Sequence, residues 1–197
     1  MPLDPPRTRR FYVGLDLGQR RDYTALVVLE KLVVPCWGDQ WLTAGVDETG
    51  STRLIVRTLE RIRLGTPYPD IVDWVKSVVT HYELQKRVVL TVDATGVGAP
   101  IVDLLRRAKL GCNIIPITIT GGANYDPVSG SLPRAQLLTN LQLMIQQDKI
   151  EIAQNCTQTK ALQQELLHLK LEGTAHGHHD DITVALALAA WSCTKKH

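Results

Sequence analysis

The sequence predicts an α/β fold in which a five-stranded mixed sheet is flanked by helices. Two observations lead to this prediction: three apolar, strand-like segments come first, and strand-like and helix-like segments alternate afterwards. Three consecutive strands most simply form an antiparallel meander, whereas strands separated by helices pair in parallel through right-handed crossovers. The order of the segments therefore indicates a sheet with both kinds of pairing.

The five strands are short apolar runs bounded by glycine, proline or charged residues, and we expect them at about 10–17, 23–34, 53–64, 87–93 and 112–119. The third segment alternates imperfectly, so its second half also fits a helix. A loop or a ragged hairpin is expected between the second and third strands.

Five helices are predicted where apolar residues recur every three or four positions, at about 70–84, 99–109, 133–147, 157–170 and 180–194. Residues 1–9 are rich in proline and arginine, and we expect them to form a flexible lead-in. The rest of the chain, residues 10–197, is predicted to be a single domain, because its length suits one continuous core.

Composition favours a soluble cytoplasmic protein with no membrane partner. Of the 197 residues, 44% are hydrophobic and 21% are charged, which is typical of globular proteins. The longest apolar stretch, Val184 to Trp191, is too short to span a bilayer, and no signal peptide is evident. The four cysteines are widely spaced, so we expect reduced thiols and neither disulfides nor a zinc knuckle.

The net charge of +2 is too small to indicate a nucleic-acid partner by itself. Arg20 and Arg21, however, closely follow the first acidic strand. A basic rim around an acidic centre suits a phosphate polyanion, although a solvated arginine-rich surface explains the same charges equally well.

Carboxylates stand where three backbone elements begin or end. Asp16 closes the first strand, Asp93 closes the fourth, and Asp180 and Asp181 open the last helix. Carboxylates brought together would repel one another unless a hard divalent cation lay between them. The pattern therefore predicts a metal site with oxygen ligands. Taken singly, each aspartate could instead cap a turn or a helix.

The predicted geometry favours convergence of these carboxylates. Alternation places Asp16 on the same strand face as Gly14, which leaves room beside the carboxylate. The strand ends at Asp16 and Asp93 can be adjacent in a mixed sheet, and ligands bind at such carboxyl ends. On the last helix, Asp181 shares a face with Ala185, so small residues would let this helix pack tightly over the strand ends.

Three further features leave alternatives open. The histidines of HGHH offer a zinc site, but the adjacent acids and the lack of a neighbouring cysteine favour Mg²⁺ or Mn²⁺. His179 could orient an acid or contact a phosphate, and Asp22 could be a peripheral ligand or a turn-stabilising residue. The G-x-G in DATGVGAP is a weak nucleotide signal, and no P-loop motif occurs.

The chain contains three segments in a familiar order: GLDLGQRRDYTALVVLE, VVLTVDATGVGAPIVDLL and LQQELLHLKLEGTAHGHHDDITVALALAAW. Together they resemble the C-terminal nuclease domain of phage terminase large subunits, which has a ribonuclease H-like fold and is also similar to the Holliday-junction resolvases. The resemblance extends from about residue 10 to residue 192. Its most specific part is the H-D-D motif that precedes an Ala/Leu-rich helix.

The resemblance implies a metal-dependent DNA endonuclease. Asp16 and Asp93 would be metal ligands. The third ligand would be Asp181 as first choice or Asp180 as second, with Asp22 as an accessory acid. Two Mg²⁺ or Mn²⁺ ions, about 4 Å apart and bridged by Asp16, would support hydrolysis of phosphodiester bonds.

The resemblance also implies DNA as the substrate, cut during phage genome packaging. Arg20, Arg21 and His179 would contact the DNA backbone. A packaging ATPase domain, a portal or a small terminase subunit would be partners, although this chain contains no P-loop. Relatives often carry another acid where this chain has Val184, and this departure leaves the identity of the third ligand open.

Two other functions fit parts of the sequence. A non-catalytic DNA-binding or assembly module of the same fold would bind DNA without Mg²⁺ and would not cleave it, and Val184 favours this alternative. An actin-like ATP-binding domain also has D-x-G in its first strand, but it needs a duplicated domain, for which 197 residues are few.

Overall fold

A mixed β-sheet forms the centre of the structure, which is a computed structural model. It describes residues 8–18, 22–34, 51–81, 83–84, 87–96, 98–169 and 179–195. Residues 1–7 of the expected lead-in therefore lie outside the described residues, whereas residues 8 and 9 are described. Most of the loop or hairpin expected between the second and third strands also lies outside them.

Seven strands are present in the described part of the chain: β1 (Thr8–Asp16), β2 (Thr24–Val34), β3 (Ser51–Ile62), β4 (Val88–Asp93), β5 (Asn113–Thr120), β6 (Ser131–Pro133) and β7 (Ile150–Ile152). Their order across the sheet is β6-β5-β4-β1-β2-β3-β7. The pairs β1–β2 and β2–β3 are antiparallel, and the other four neighbouring pairs are parallel. The predicted antiparallel opening and parallel continuation are thus confirmed.

Helices cover both faces of the sheet. They are α1 (Tyr68–Val79), α2 (Gly98–Arg107), α3 (Arg134–Gln146), α4 (Thr159–Leu167) and α5 (Asp181–Cys193). Apolar residues of α1 and α2 share one core with one face of β1, β2 and β4, while α3, α4 and α5 share a second core with the opposite face. Each strand side chain points alternately into one core or the other.

All five predicted helices and all five predicted strands are present, and the α/β class is confirmed. The strand number is corrected from five to seven by the short edge strands β6 and β7. Each has only three residues, which is too few for a periodic pattern to be recognised in sequence.

A β-bulge interrupts the pairing of β2 with β3. Thr58 lies opposite Val28 and Val56 lies opposite Leu29, so Arg57 is an extra residue in β3. A bulge reverses the side-chain alternation on either side of it. This explains the imperfect alternation of the third segment, which remains a strand to Ile62 and does not adopt the helical alternative.

The bulge also changes which β3 side chains face α5. Leu54 and Val56 precede the bulge and join the core of the α5 face; Leu59, after the bulge, joins the same core. Arg61 follows Leu59 by two residues and points to that face as well, as its contacts with side chains of α4 and α5 show.

Helix α5 lies directly against β1 because Gly14 has no side chain. A Cβ atom at Gly14 would lie 1.8 Å from the carbonyl oxygen of Ala185. Every residue of α5 is buried. The close packing brings the beginning of α5 over the carboxyl ends of β1 and β4, as the small residues predicted.

Two further findings concern membrane-spanning helices and thiols. Within the described residues, no helix is long and apolar enough to cross a bilayer. Cys112, Cys156 and Cys193 are free thiols, as expected, and Cys36 lies outside the described residues.

Candidate metal centre

Asp16 and Asp93 lie side by side at the carboxyl ends of two parallel strands. Leu15 of β1 pairs with Val92 of β4, so the next residue of each strand is an aspartate at the same edge of the sheet. Burial raises the pKa of Asp16 well above its usual range, and the charges of Asp93 and Asp181 raise it further. Among the described residues, no hydrogen bond to the Asp16 carboxylate offsets this effect.

Thr95 fixes the second strand-end carboxylate. Its backbone N–H donates a hydrogen bond of 2.8 Å to Oδ1 of Asp93, and its hydroxyl oxygen accepts one of 2.7 Å from the N–H of Ile119 in β5. These bonds anchor the turn after β4 to the neighbouring strand. Burial nevertheless raises the pKa of Asp93 above its ordinary value. The carboxylate is therefore oriented but carries a charge that its surroundings disfavour.

Asp181 is the first residue of α5 and is only 4% exposed. Its Oδ2 lies 3.3 Å from Nη2 of Arg61 in β3. Burial raises the pKa of Asp181 to about 6, although the Arg61 charge opposes this increase. A buried carboxylate with one partly compensating cation is a good ligand for a metal ion, which would supply the missing positive charge.

Asp180 has a different environment from its neighbour. Its carboxylate forms an ion pair with the guanidinium of Arg134, the first residue of α3. The side chains of Asp180 and Arg134 are 16% and 19% exposed, so the pair is largely shielded from solvent. Asp180 occupies the N-cap position of α5 but makes no side-chain capping bond, so the capping alternative is wrong for its side chain.

Asp22 and His179 form the open rim of the site. Both are exposed, and Nδ1 of His179 lies 3.9 Å from Oδ1 of Asp22. One potential ligand atom from each of Asp22, His179 and Asp181 lies within 4.8 Å of the others. The ring of Tyr23 packs edge-on against His179, with the centroids 5.3 Å apart.

One cleft of about 360 Å³ brings the predicted acids together. It is lined by five carboxylates and one imidazole: Asp16, Asp22, Asp93, Asp180, Asp181 and His179. Oxygen donors of this kind fit Mg²⁺ or Mn²⁺, and one imidazole also suits zinc or manganese. The donor set therefore fits the divalent ions expected from the sequence. Arg20 and Arg21 lie outside the described residues.

Four residues of the site were not predicted: Arg61, Thr95, Arg134 and Glu165. Arg134 pairs with an aspartate 46 residues away, and Arg61 pairs with acids 104 and 120 residues away. Such distant pairs leave no local pattern. The one signal for Arg61 was the imperfect alternation of the third strand, which we interpreted as a possible helix and which the bulge explains.

Comparisons with known proteins identify the fold. No protein-family model matches the chain, and no curated protein matches it. The structure is similar to that of the large terminase nuclease from thermophilic phage G20c with bound zinc. The TM-score is 0.55 and the identity is 22%, covering 92% of this chain and 80% of that one. A second structure of the G20c nuclease has a TM-score of 0.55 and an identity of 23%, and the match covers 92% of this chain and 81% of that one.

The nuclease domain of the large terminase subunit gp2 of bacterial virus Sf6 is also similar. That structure is of a lysine-to-alanine mutant with manganese and β-thujaplicinol; its TM-score is 0.55 and its identity 12%, covering 92% of this chain and 87% of that one. Identities this low show the fold alone. The chain is an α/β protein with the ribonuclease H-like fold. More particularly, its fold is that of phage large terminase nuclease domains, which confirms the predicted resemblance.

Proposed function

We propose that this chain is a divalent-metal-dependent DNA endonuclease of the terminase nuclease type. The observation that carries the proposal is the convergence of Asp16, Asp93 and Asp181 from two strands and a helix onto one cleft. The structures with the same fold support it, because they are nucleases and contain zinc in one case and manganese in another.

In this proposal Asp16, Asp93 and Asp181 would hold two Mg²⁺ or Mn²⁺ ions. When bound, the ions supply a water of lowered pKa for attack on the phosphodiester and neutralise negative charge on the phosphate. The chain then needs no covalent nucleophile. Its carboxylates repel one another and are partly desolvated, so they favour cation binding.

The remaining acids and His179 have supporting roles. We assign the third ligand to Asp181 and not to Asp180, because the carboxylate of Asp180 is already paired with Arg134. The ion pair fixes the Arg134 guanidinium beside the cleft and largely cancels the charge of Asp180. Asp22 and His179 are on the exposed rim, where they could complete the coordination of one ion or contact the phosphate.

The proposed substrate is DNA, cut during phage genome packaging. Arg20 and Arg21 remain predicted contacts to the DNA backbone, and such contacts give little sequence specificity and strong salt dependence. A packaging ATPase domain, a portal or a small terminase subunit are the proposed partners, because the proteins of the same fold are large terminase nucleases.

Plasmid cleavage tests the proposed activity. Supercoiled plasmid would be incubated with Mn²⁺, Mg²⁺ or EDTA and with wild type, Asp16→Asn or Asp181→Asn. We expect nicking or linearisation by the wild type with metal only, and loss of cleavage in both variants, because each removes a ligand charge. Binding of DNA by Asp16→Asn should persist, since the substitution changes no proposed backbone contact.

Asp103→Asn is the matched control, because Asp103 is an exposed aspartate of α2 whose ion pair, among the described residues, is with Arg106 on its own helix. It should cleave as the wild type does. Full activity of Asp16→Asn would contradict the assignment. Binding of DNA without cleavage under any metal would instead favour the non-catalytic module.

A further inference from the structure

Helix α5 is capped by a carboxylate from another helix. The first N–H groups of a helix lack partners within the helix, and the N-cap residue Asp180 supplies none through its side chain. Glu165 of α4 supplies them: its Oε2 accepts a hydrogen bond of 2.7 Å from the N–H of Thr183, and its Oε1 accepts a longer one of 3.4 Å from that of Ile182. The negative charge of this carboxylate also lies at the positive end of the α5 helix dipole, where it is stabilising.

Glu165 is a buried acid, 6% exposed, and it shares one cation with Asp181. Nη2 of Arg61 contacts Oε1 of Glu165 closely and lies farther, 3.3 Å, from Oδ2 of Asp181. Within the described residues, Nε of Arg61 is buried without a hydrogen-bond partner. The Arg61 guanidinium is therefore fixed mainly through its contact with Glu165.

The bulge in β3 is what brings Arg61 to this place. If β3 alternated strictly, with Arg57 in the ladder and no bulge, Arg61 would point to the face covered by α1. Bulges commonly redirect side chains next to functional sites. The bulge therefore places Arg61 at the beginning of α5, where its guanidinium contacts both Glu165 and Asp181.

We propose that Glu165 is a positioning residue for Asp181: it caps α5 and holds the Arg61 guanidinium so that the Asp181 carboxylate remains available to a divalent cation. This inference rests on the proposed function, since it concerns the same site. Without the Glu165 charge, the Arg61 guanidinium would pair fully with Asp181. It would then compete with the metal ion for that carboxylate.

The test is Mn²⁺ binding, measured as free Mn²⁺ by electron paramagnetic resonance at neutral pH. Glu165→Gln preserves the shape of the side chain and one acceptor oxygen but removes the charge. We expect its Kd for Mn²⁺ to rise by about 10- to 100-fold, as is typical when the groups that orient metal ligands are altered. The double variant Arg61→Met/Glu165→Gln should bind Mn²⁺ more tightly than Glu165→Gln, because the competing cation is gone.

Glu151→Gln is the matched control, since Glu151 of β7 pairs with Arg53 of β3 in an exposed ion pair away from the cleft. Its Kd should equal that of the wild type. A merely structural role of Glu165 would lower the melting temperature and leave the Kd of the folded protein unchanged, which would overturn the inference. A double variant that binds no better than Glu165→Gln would also overturn it.

The binding assay separates this inference from the proposed nuclease activity. If the wild-type protein binds Mn²⁺ but never cleaves DNA, the proposed nuclease activity is contradicted. The comparison of Kd values for Mn²⁺ still decides the role of Glu165 in that case. Conversely, Glu165→Gln could bind Mn²⁺ with the same Kd as the wild type while the wild type cleaves DNA in a metal-dependent way. That result would contradict the positioning role of Glu165 and leave the proposed nuclease activity in place.

Discussion

The two strand-end carboxylates and the two helix-start carboxylates line the same cleft, but their charges are balanced differently. Asp180 and Asp181 each contact an arginine, Arg134 and Arg61 respectively. Asp16 has no such partner among the described residues, and its pKa is raised well above the usual range by burial and by its acidic neighbours. Asp180 is thus largely neutralised by Arg134, and Asp181 shares the charge of Arg61 with Glu165, whereas the strand ends leave negative charge for a cation.

This difference indicates how a metal site is built from a sheet and a helix. The strands place Asp16 and Asp93 together through backbone pairing, which needs no favourable charge interaction between them. The helix is held by packing at Gly14 and by ion pairs at its first turn. The carboxylates can therefore converge before any metal is bound, because other interactions offset their repulsion.

Gly14→Ala should lower the free energy of unfolding more than the other substitutions do. It moves α5, which carries Asp181, away from β1, which carries Asp16. The new methyl group would meet the Ala185 carbonyl and force α5 away from β1. We expect a loss of about 3 kcal/mol or more in the free energy of unfolding, as for strong overpacking, measured by urea denaturation. Mn²⁺ binding should weaken as well.

Gly121→Ala is the control for this substitution, since a Cβ atom at Gly121 would meet nothing within 4 Å. Its stability should stay close to that of the wild type. Equal stability of Gly14→Ala and Gly121→Ala would mean that α5 is not held against β1 by this close contact.

Arg134→Ala should have the next largest effect, because it leaves Asp180 without its cation. Both side chains of the pair are mostly shielded. The expected loss in unfolding free energy is therefore about 2 kcal/mol, somewhat below that for breaking a fully buried pair. Arg53→Ala breaks an exposed pair and should cost less than about 1 kcal/mol. A smaller loss for Arg134→Ala than for Arg53→Ala would contradict the claim that Arg134 neutralises Asp180.

The metal-free protein should lose stability as the pH rises from 5 to 7. The pKa of Asp181 in the folded state is about 6, above its ordinary value of 3.8, so folding binds a proton in this range. Stability is then fully present below about pH 4 and is lost as the pH rises through about 6. We expect a decrease of about 1 kcal/mol in the free energy of unfolding in EDTA, and Asp181→Asn should reduce the decrease.

Urea denaturation at the two pH values, with and without Mn²⁺, would measure this dependence. Mn²⁺ should stabilise the protein more at pH 7 than at pH 5, because it binds the deprotonated carboxylates. Stability in EDTA that rises between pH 5 and pH 7 would contradict the unbalanced charge inferred for the cleft.

Much of the fold and part of the site could be predicted from local patterns. Apolar periodicity located the five longer strands and the five helices, and the ends of those elements placed Asp16, Asp93 and Asp181. Three-residue edge strands have too little pattern to be recognised. Pairing partners such as Arg134 and Glu165 depend on which helices pack together, and no local signal in the sequence specifies that.

The position of Arg61 shows the limit most clearly. Its face of the sheet depends on the single extra residue Arg57, which disturbs the alternation without revealing where the bulge lies. Only the pairing of β2 with β3 resolves that ambiguity. The sequence therefore predicted the acids of the cleft, whereas the cations that balance two of them required the three-dimensional structure.

Anomalous diffraction from a crystal soaked in Mn²⁺ would test most directly whether the strand ends and the helix start form one metal site. We predict a strong peak in the cleft within about 2.2 Å of carboxylate oxygens from Asp16, Asp93 and Asp181. An empty cleft in a crystal that binds Mn²⁺ elsewhere would contradict the assignment. A peak held by Asp22 and His179 without Asp16 would contradict it too.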